Sequence, residues 1–407
     1  MLVNYFVVLT ILLLISGLAI DAGMLEFWQI HLQNAADAAA QQAMYQFGRN
    51  DSAYATEGKA QSSTNGFTDG VNGVSVTISQ PPVSTEWVND QWSVQATVSQ
   101  PVSNLLMSLV NAGKSTVYAT AVARVLPTCI WILNPTNTST NPSFWLAAGI
   151  ISGACGLYVN TSSGPSLEVD SSATLLNLRS RIVGPPSGGT STGTITPIPK
   201  FNAAQKNDPL AYVTSPSFSA CTPGYTALTK NNFTGSIGPG TYCGGLSVSN
   251  STITLTSGLY IFTGGLTINN STVYGTSGVT LFFTSGGGYS YGNININNSA
   301  LYLKAAITTT GGTVPGIVLF GDRNWISHGN RGVSFKFTTI QNDGIWYFPN
   351  IGVYMLQAPL SYYSYNGIIA DNLYYSGDTS TMNVNYAPLG SFITGTPYHY
   401  EDGALVN

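Results

Sequence analysis

Residues 245–253, Gly-Leu-Ser-Val-Ser-Asn-Ser-Thr-Ile, return twenty positions later as Gly-Leu-Thr-Ile-Asn-Asn-Ser-Thr-Val at 265–273. The match runs on, with Gly258 onto Gly278, Ile261 onto Leu281 and Phe262 onto Phe282. A third copy follows the glycine insertion 286–288, carrying Ile294, Ile296, Asn298, Ser299, Leu301 and Leu303 in matching places, and 316–320 repeats the second half of the unit. Short strands broken by Asn-Ser or Ser-Gly turns at this period predict a parallel β-helix. Alternate residues (Leu246 and Val248, Leu266 and Ile268) then point inward and stack on the next coil, with Ser, Thr and Asn facing water. Asn250, Asn270 and Asn298 fall at equivalent corners, where asparagine tolerates a left-handed backbone and can ladder with its copies. Few charges suit such a stack, since like charges at ~4.8 Å repel.

The solenoid is expected to occupy residues 127–407, with a less regular coil at 157–169. Past Asn324 the repeat degrades into aromatic segments such as Trp346-Tyr347-Phe348, Tyr362-Tyr363 and Tyr374-Tyr375. These read as further coils or a cap over the open end, or as a sugar- or partner-binding face. Four cysteines, Cys129, Cys155, Cys221 and Cys243, suit two disulfides in an exported chain. Three pairings are possible, and proximity in sequence favours Cys129–Cys155 and Cys221–Cys243.

At the other end, Met1 to Ile20 carry no charged side chain. At ~1.5 Å per residue the run just crosses a hydrocarbon core of ~30 Å, so it reads as a transmembrane anchor including Leu2, Phe6, Leu9, Leu13 and Ile20. The missing basic n-region and missing small-x-small site favour an uncleaved anchor over a signal peptide. Asp21, Glu26 and the large polar remainder favour the N-terminus inside and the bulk outside the cell. The helix continues past Asp21, with Leu25, Trp28, Leu32, Ala35, Ala39 and Ala43 forming one stripe at spacings of three and four. That stripe packs either on the domain that follows or on other copies or partner stalks.

Residues 21–126 are expected to form the long helix and a small α+β domain of pilin-like shape. Ala53 to Thr64 extends helical structure, and 74–78, 92–98 and 116–123 alternate as strands. Pro101 starts a short helical run through Val102, Leu105 and Leu109 that Gly113 ends. The fold class is therefore multidomain: a transmembrane and amphipathic helix with an α+β unit, then an all-β parallel β-helix.

Only 7% of the 407 residues are charged and the net charge is −4, which gives no basis for nucleic-acid binding. No C-x-x-C or clustered His points to a metal, no phosphate loop or nucleophile elbow occurs, and no cofactor is expected. Saccharide hydrolysis needs paired carboxylates. Between 201 and 400 these are Asp208, Asp322, Asp343, Asp371 and Asp378, none closely paired. The polar knot of Gly321-Asp322-Arg323-Asn324 with His328 and Arg331 reads as a turn held by an Asp–Arg pair. A non-enzymatic protein is expected; a carbohydrate-active surface protein is the alternative.

The segments Gly17-Leu18-Ala19-Ile20-Asp21-Ala22-Gly23 and Leu32-Gln33-Asn34-Ala35-Ala36-Asp37-Ala38-Ala39-Ala40 resemble the N-terminal region of TadG-like proteins of the bacterial tight-adherence (Flp) pilus assembly system. Pro127-Thr128-Cys129, Cys155-Gly156-Leu157-Tyr158-Val159-Asn160, Asp208-Pro209-Leu210-Ala211 and 240–246 are similar to landmarks of the C-terminal region in some members. The resemblance implies a bacterial envelope protein anchored in the inner membrane, or present in an extracellular filament. It would act in pilus assembly or adhesion with envelope proteins or copies of itself as partners. The D-x-S-x-S metal site of many members is missing here, so metal-dependent adhesion is not implied.

Overall fold

The computed structural model describes residues 2–48, 52–85, 88, 93–104, 113–124, 128–153, 155–309, 311–327, 332–385 and 404–406. It divides into two compact units, residues 1–126 with 396–407, and residues 127–395.

In the first unit, helix α1 (Leu2–Gly48) is continuous, about 70 Å long at the standard rise. Helix α2 (Tyr54–Thr64) and strands β1 (Ser75–Ser79), β2 (Ser93–Ser103) and β3 (Lys114–Arg124) complete an antiparallel sheet against it. The core is a layer of small side chains: Leu32, Ala35, Ala36, Ala39, Ala40 and Ala43 of α1 meet Val94, Ala96 and Val98 of β2 and Ala119, Ala121 and Ala123 of β3. Alanine on both sides lets helix and sheet backbones come close. Gly58 of α2 is part of that approach, because a Cβ there would sit 2.9 Å from the Cβ of Ala43. Two expectations change. Pro101–Ser103 continue β2 as an edge extension rather than opening a helix, since register to Lys114–Thr116 is kept; Leu105 to Val110 lie outside the described residues. The strand Ala404–Val406, assigned on sequence to the solenoid, pairs antiparallel with β3.

The second unit is a parallel solenoid with three strands per turn. Its register shows the stacking directly. On one face the inward column runs Leu246, Leu266, Ile294, Val333, Val353, Leu373, Phe144, Leu167. On another it runs Ile253, Val273, Leu301, Ile340, Leu360, Met382, Ile151, Leu175. All of these are buried. The corners are built as the repeat suggested. Asn250, Asn270 and Asn298 have φ of 50°, 48° and 48°, and Asn298 Nδ2 donates to Asn270 Oδ1 at 2.7 Å. The serine after each asparagine is buried and bonds twice. Ser271 Oγ accepts from Ser251 N at 3.0 Å and donates to Asn269 O at 2.7 Å; Ser251 and Ser299 repeat the pattern. The Asn-Ser pair thus supplies the left-handed turn and satisfies the backbone it exposes.

Order along the stack differs from order along the chain. Strand Asn366–Val384 pairs in parallel with both Thr128–Ile132 and Phe144–Gly153, so the last coil in sequence lies beside the first. Residues 128–196 wind away from this junction; residues 226–384 begin at the opposite end of the stack and wind back to it. The aromatic segments are consequently interior coils, correcting the expectation of a C-terminal cap. Trp346, Tyr347, Phe348 and Tyr375 are fully buried: 346–348 lie under the coil at 368–370, and Tyr375 pairs in register with Leu146 of the coil that covers what would have been the open end.

Candidate functional site

Joining the two halves requires residues 197–225 to travel the length of the stack. Nine steps of ~4.8 Å, from Leu228 to Gly189 along the register, come to about 43 Å, well within the reach of such a segment. This strap is fastened coil by coil. Near its start, Lys200 N donates to Ser180 O at 2.9 Å, and Tyr158 Oη donates to Ala204 O. The Asn160 amide then clamps Lys206, donating to its carbonyl at 2.8 Å and accepting from its N–H at 2.9 Å. Near its end, Thr222 bonds Thr241 through N–H and hydroxyl, and the Cys221–Cys243 disulfide closes with Cα atoms 5.6 Å apart. The other disulfide, Cys129–Cys155, spans 5.8 Å within the coils at the junction.

The middle of the strap is held by polar side chains. Arg323 donates to Tyr347 Oη at 2.8 Å, Ser215 Oγ at 2.9 Å and Leu210 O at 2.7 Å. Tyr347 Oη in turn donates to Asp208 Oδ2 at 2.5 Å. Burial raises the Asp208 carboxyl above its ordinary value, against the opposing pull of Tyr347, Leu210 N–H and Arg323. Burial, then Asp208, likewise pushes the Tyr347 phenol up. The predicted Asp322–Arg323 pair is replaced by separate roles. Asp322 accepts from Thr284 Oγ1 at 2.5 Å and Asn324 N at 2.9 Å, closing the turn and freeing Arg323 for the strap. His328 and Arg331 lie outside the described residues. Nothing local in sequence ties Arg323 to residues 208–215; only the permuted stack brings them together.

The outward column on the face described first changes character at the junction. It reads Ser247, Thr267, Asn295 and Ser334, then Tyr354, Tyr374, Trp145 and Glu168. The Tyr354 and Tyr374 rings stack 4.6 Å apart at 7°, and Trp145 stands edge-on to Tyr374 at 4.9 Å and 84°. Trp145 Nε1 donates to Asp170 Oδ2 at 3.2 Å. A hollow of about 60 Å³ over these rings is lined by Ser139, Asn141, Pro142 and Asn372. It adjoins, through Pro142, a cleft of about 720 Å³ bordered by Glu168. Glu168 is raised by burial and by Asp170. The signal missed in sequence was the acid-x-acid spacing of Glu168 and Asp170 beside an outward tryptophan.

On α1 the stripe is used internally: Leu32, Ala35, Ala39 and Ala43 are fully buried in the unit's own core, with Leu25 and Trp28 packed on it. The buried part of the stripe is therefore covered by α2, β2 and β3 of the same unit. Of the five anchor residues, Leu9 and Ile20 are exposed, and the side chains of Leu2, Phe6 and Leu13 lie outside the described residues. Val8, Leu12, Ile15 and Leu18 are exposed as well. Among the described residues no helix is long and apolar enough to cross a membrane.

This helix is where the comparison with known families falls. Residues 5–45 match the model described as putative Flp pilus-assembly TadE/G-like. The chain carries a TadE/G-like segment. It covers nearly all of α1, both the exposed apolar half and the half that the α+β unit packs against. Comparison with curated proteins and with solved structures gave no match. Among the described residues no group of three or more His, Cys, Asp or Glu is placed to hold a metal ion.

Proposed function

We propose that this chain is a non-enzymatic structural protein of a Tad-type pilus or surface filament, associated with the bacterial inner membrane through the first half of α1. The observation that carries the reading is the division of the TadE/G-like helix. Its second half is consumed by its own domain, whereas Val8, Leu9, Leu12, Ile15, Leu18 and Ile20 are exposed among the described residues. Covering a side chain of this kind contributes ~1.5–3 kcal/mol, so these residues together favour an apolar environment by on the order of 10 kcal/mol. The absence of any charge from Met1 to Ile20 makes a lipid phase an acceptable one. A single-pass arrangement with the bulk extracytoplasmic is the specific form of the reading. Adhesion and partnership with other pilus or envelope proteins belong to the same proposal.

Fractionation tests it. The full chain is expected in the membrane fraction, released by detergent and not by salt, and to lose that association when residues 1–20 are deleted. Recovery of the intact chain in sheared filaments would make it a filament subunit instead. A full chain that stays monomeric in detergent-free buffer would overturn the proposal.

A further inference from the structure

The geometry points to a saccharide-binding site at the junction of the solenoid, built on Trp145, Tyr374 and Tyr354 and taking a neutral polysaccharide. The preceding positions of that outward column are Ser247, Thr267, Asn295 and Ser334, of which the first three keep contact with water as the side chains of a solvated parallel strand do and Ser334 is buried. The inward core is filled by the alternate positions Val353, Leu373 and Phe144; of the three consecutive aromatic rings on the column, Trp145 and Tyr374 are half-buried and Tyr354 is buried behind them. Their arrangement is a corner: two parallel rings and one nearly perpendicular, facing a hollow. The C–H faces of a pyranose ring suit such a surface, since they are apolar and flat while the hydroxyls project from the rim. Sites for small ligands combine aromatic walls with a few placed polar groups in this way.

The polar groups are present. Ser139, Asn141 and Asn372 line the hollow, and amides both donate to and accept from hydroxyls. Trp145 is pre-oriented, its indole N–H held by Asp170, so little ordering cost remains on binding. The larger cleft beyond Pro142 continues the same direction, from Trp145 to its register neighbour Glu168, giving room for further sugar units. Chain direction and strand spacing of ~4.8 Å set successive side chains at intervals similar to a pyranose unit. Charge decides the class. Glu168 and Asp170 would repel uronic acids and accept hydrogen bonds from neutral hydroxyls. The site stands on the solenoid alone and does not depend on how the chain is tethered.

The test is calorimetric titration of the detergent-solubilised full chain with 1,4-linked hexaoses of glucose, mannose and N-acetylglucosamine, with a hexagalacturonate as acidic comparator. Saturable binding to at least one neutral hexaose is expected, with no binding of the acidic one. Trp145→Ala is expected to weaken it at least about tenfold, as truncation of a central aromatic contact does. Trp145→Phe, which keeps a ring, should lose far less, and Tyr374→Ala should weaken binding comparably to Trp145→Ala. Each variant is checked for an unchanged thermal transition; if Trp145→Ala alone unfolds, Tyr374→Ala decides. No saturable binding of any neutral hexaose, preference for the hexagalacturonate, or undiminished affinity in the folded variants would overturn the assignment.

Discussion

Replacing Arg323 by alanine should loosen the strap and leave the coils beneath it intact. Arg323 spends three donors on the strap side of the fold: one on Tyr347 Oη, which itself holds Asp208, and two on Ser215 Oγ and Leu210 O. Hydrogen bonds from a charged donor contribute ~1.5–3 kcal/mol each when the reference is an unmet partner. The guanidinium is half-buried, so water replaces part of what is lost, and a net cost of about 3 kcal/mol is the reasoned figure. Because the strap lies on finished coils, the cost should appear as local opening. At ~1.4 kcal/mol per tenfold this is a roughly 100-fold loss of hydrogen-exchange protection. The reporting amides are Lys206, Leu210, Ala211 and Val213, whose N–H groups are bonded to Asn160 Oδ1, Asp208 or Leu210 O. Arg323→Lys should fall between, since one ammonium cannot serve three directions at once. Exchange measured by mass spectrometry across the full chain separates the outcomes. A change below about threefold at those amides, or an equal loss throughout the solenoid, would refute the idea that Arg323 acts as the strap's fastening.

The remaining expectations concern the same devices. Asp208 is raised above the ordinary carboxylate value of 3.8, so its contribution is fully present below that value and is lost as pH rises through the raised one. Strap protection should therefore fall as pH rises from the ordinary carboxylate range, and Asp208→Asn should flatten that dependence in the same exchange experiment. Ser271→Ala removes the acceptor for the buried Ser251 N–H and should lower stability by ~1–3 kcal/mol in denaturant unfolding, whereas exposed Thr254→Ala should be near neutral. Reducing Cys221–Cys243, or replacing both by serine, should free the far end of the strap. Closing a loop of sequence separation 22 contributes ~3 kcal/mol, and limited proteolysis near 216–224 reads the effect. Gly58→Ala places a methyl against Ala43 and should destabilise the first unit by ~1–3 kcal/mol, with the second unit's transition unmoved in calorimetry.

Sequence alone determined what repeats and what pairs locally. Alternation at 246–248 and 266–268 decides which side chains face inward, because a strand has period two. The recurring Asn-Ser decides the corners, because a left-handed residue and a hydroxyl that bonds the next coil are local requirements of the turn. Cysteine proximity indicated both disulfides, and small residues on α1 marked a packing face, whose partner, the sheet, only the folded unit supplied. Tertiary structure alone decided which coil stacks on which. A parallel coil carries the same backbone donors and acceptors on both edges, so nothing in its own residues names its neighbour. For that reason the return of 366–384 onto 128–153, the strap at 197–225, and the meeting of Tyr374 with Trp145 were beyond sequence reading. Arg323 shows the same limit: a charged side chain announces that it needs partners, and only the folded stack supplies Tyr347, Ser215 and Leu210.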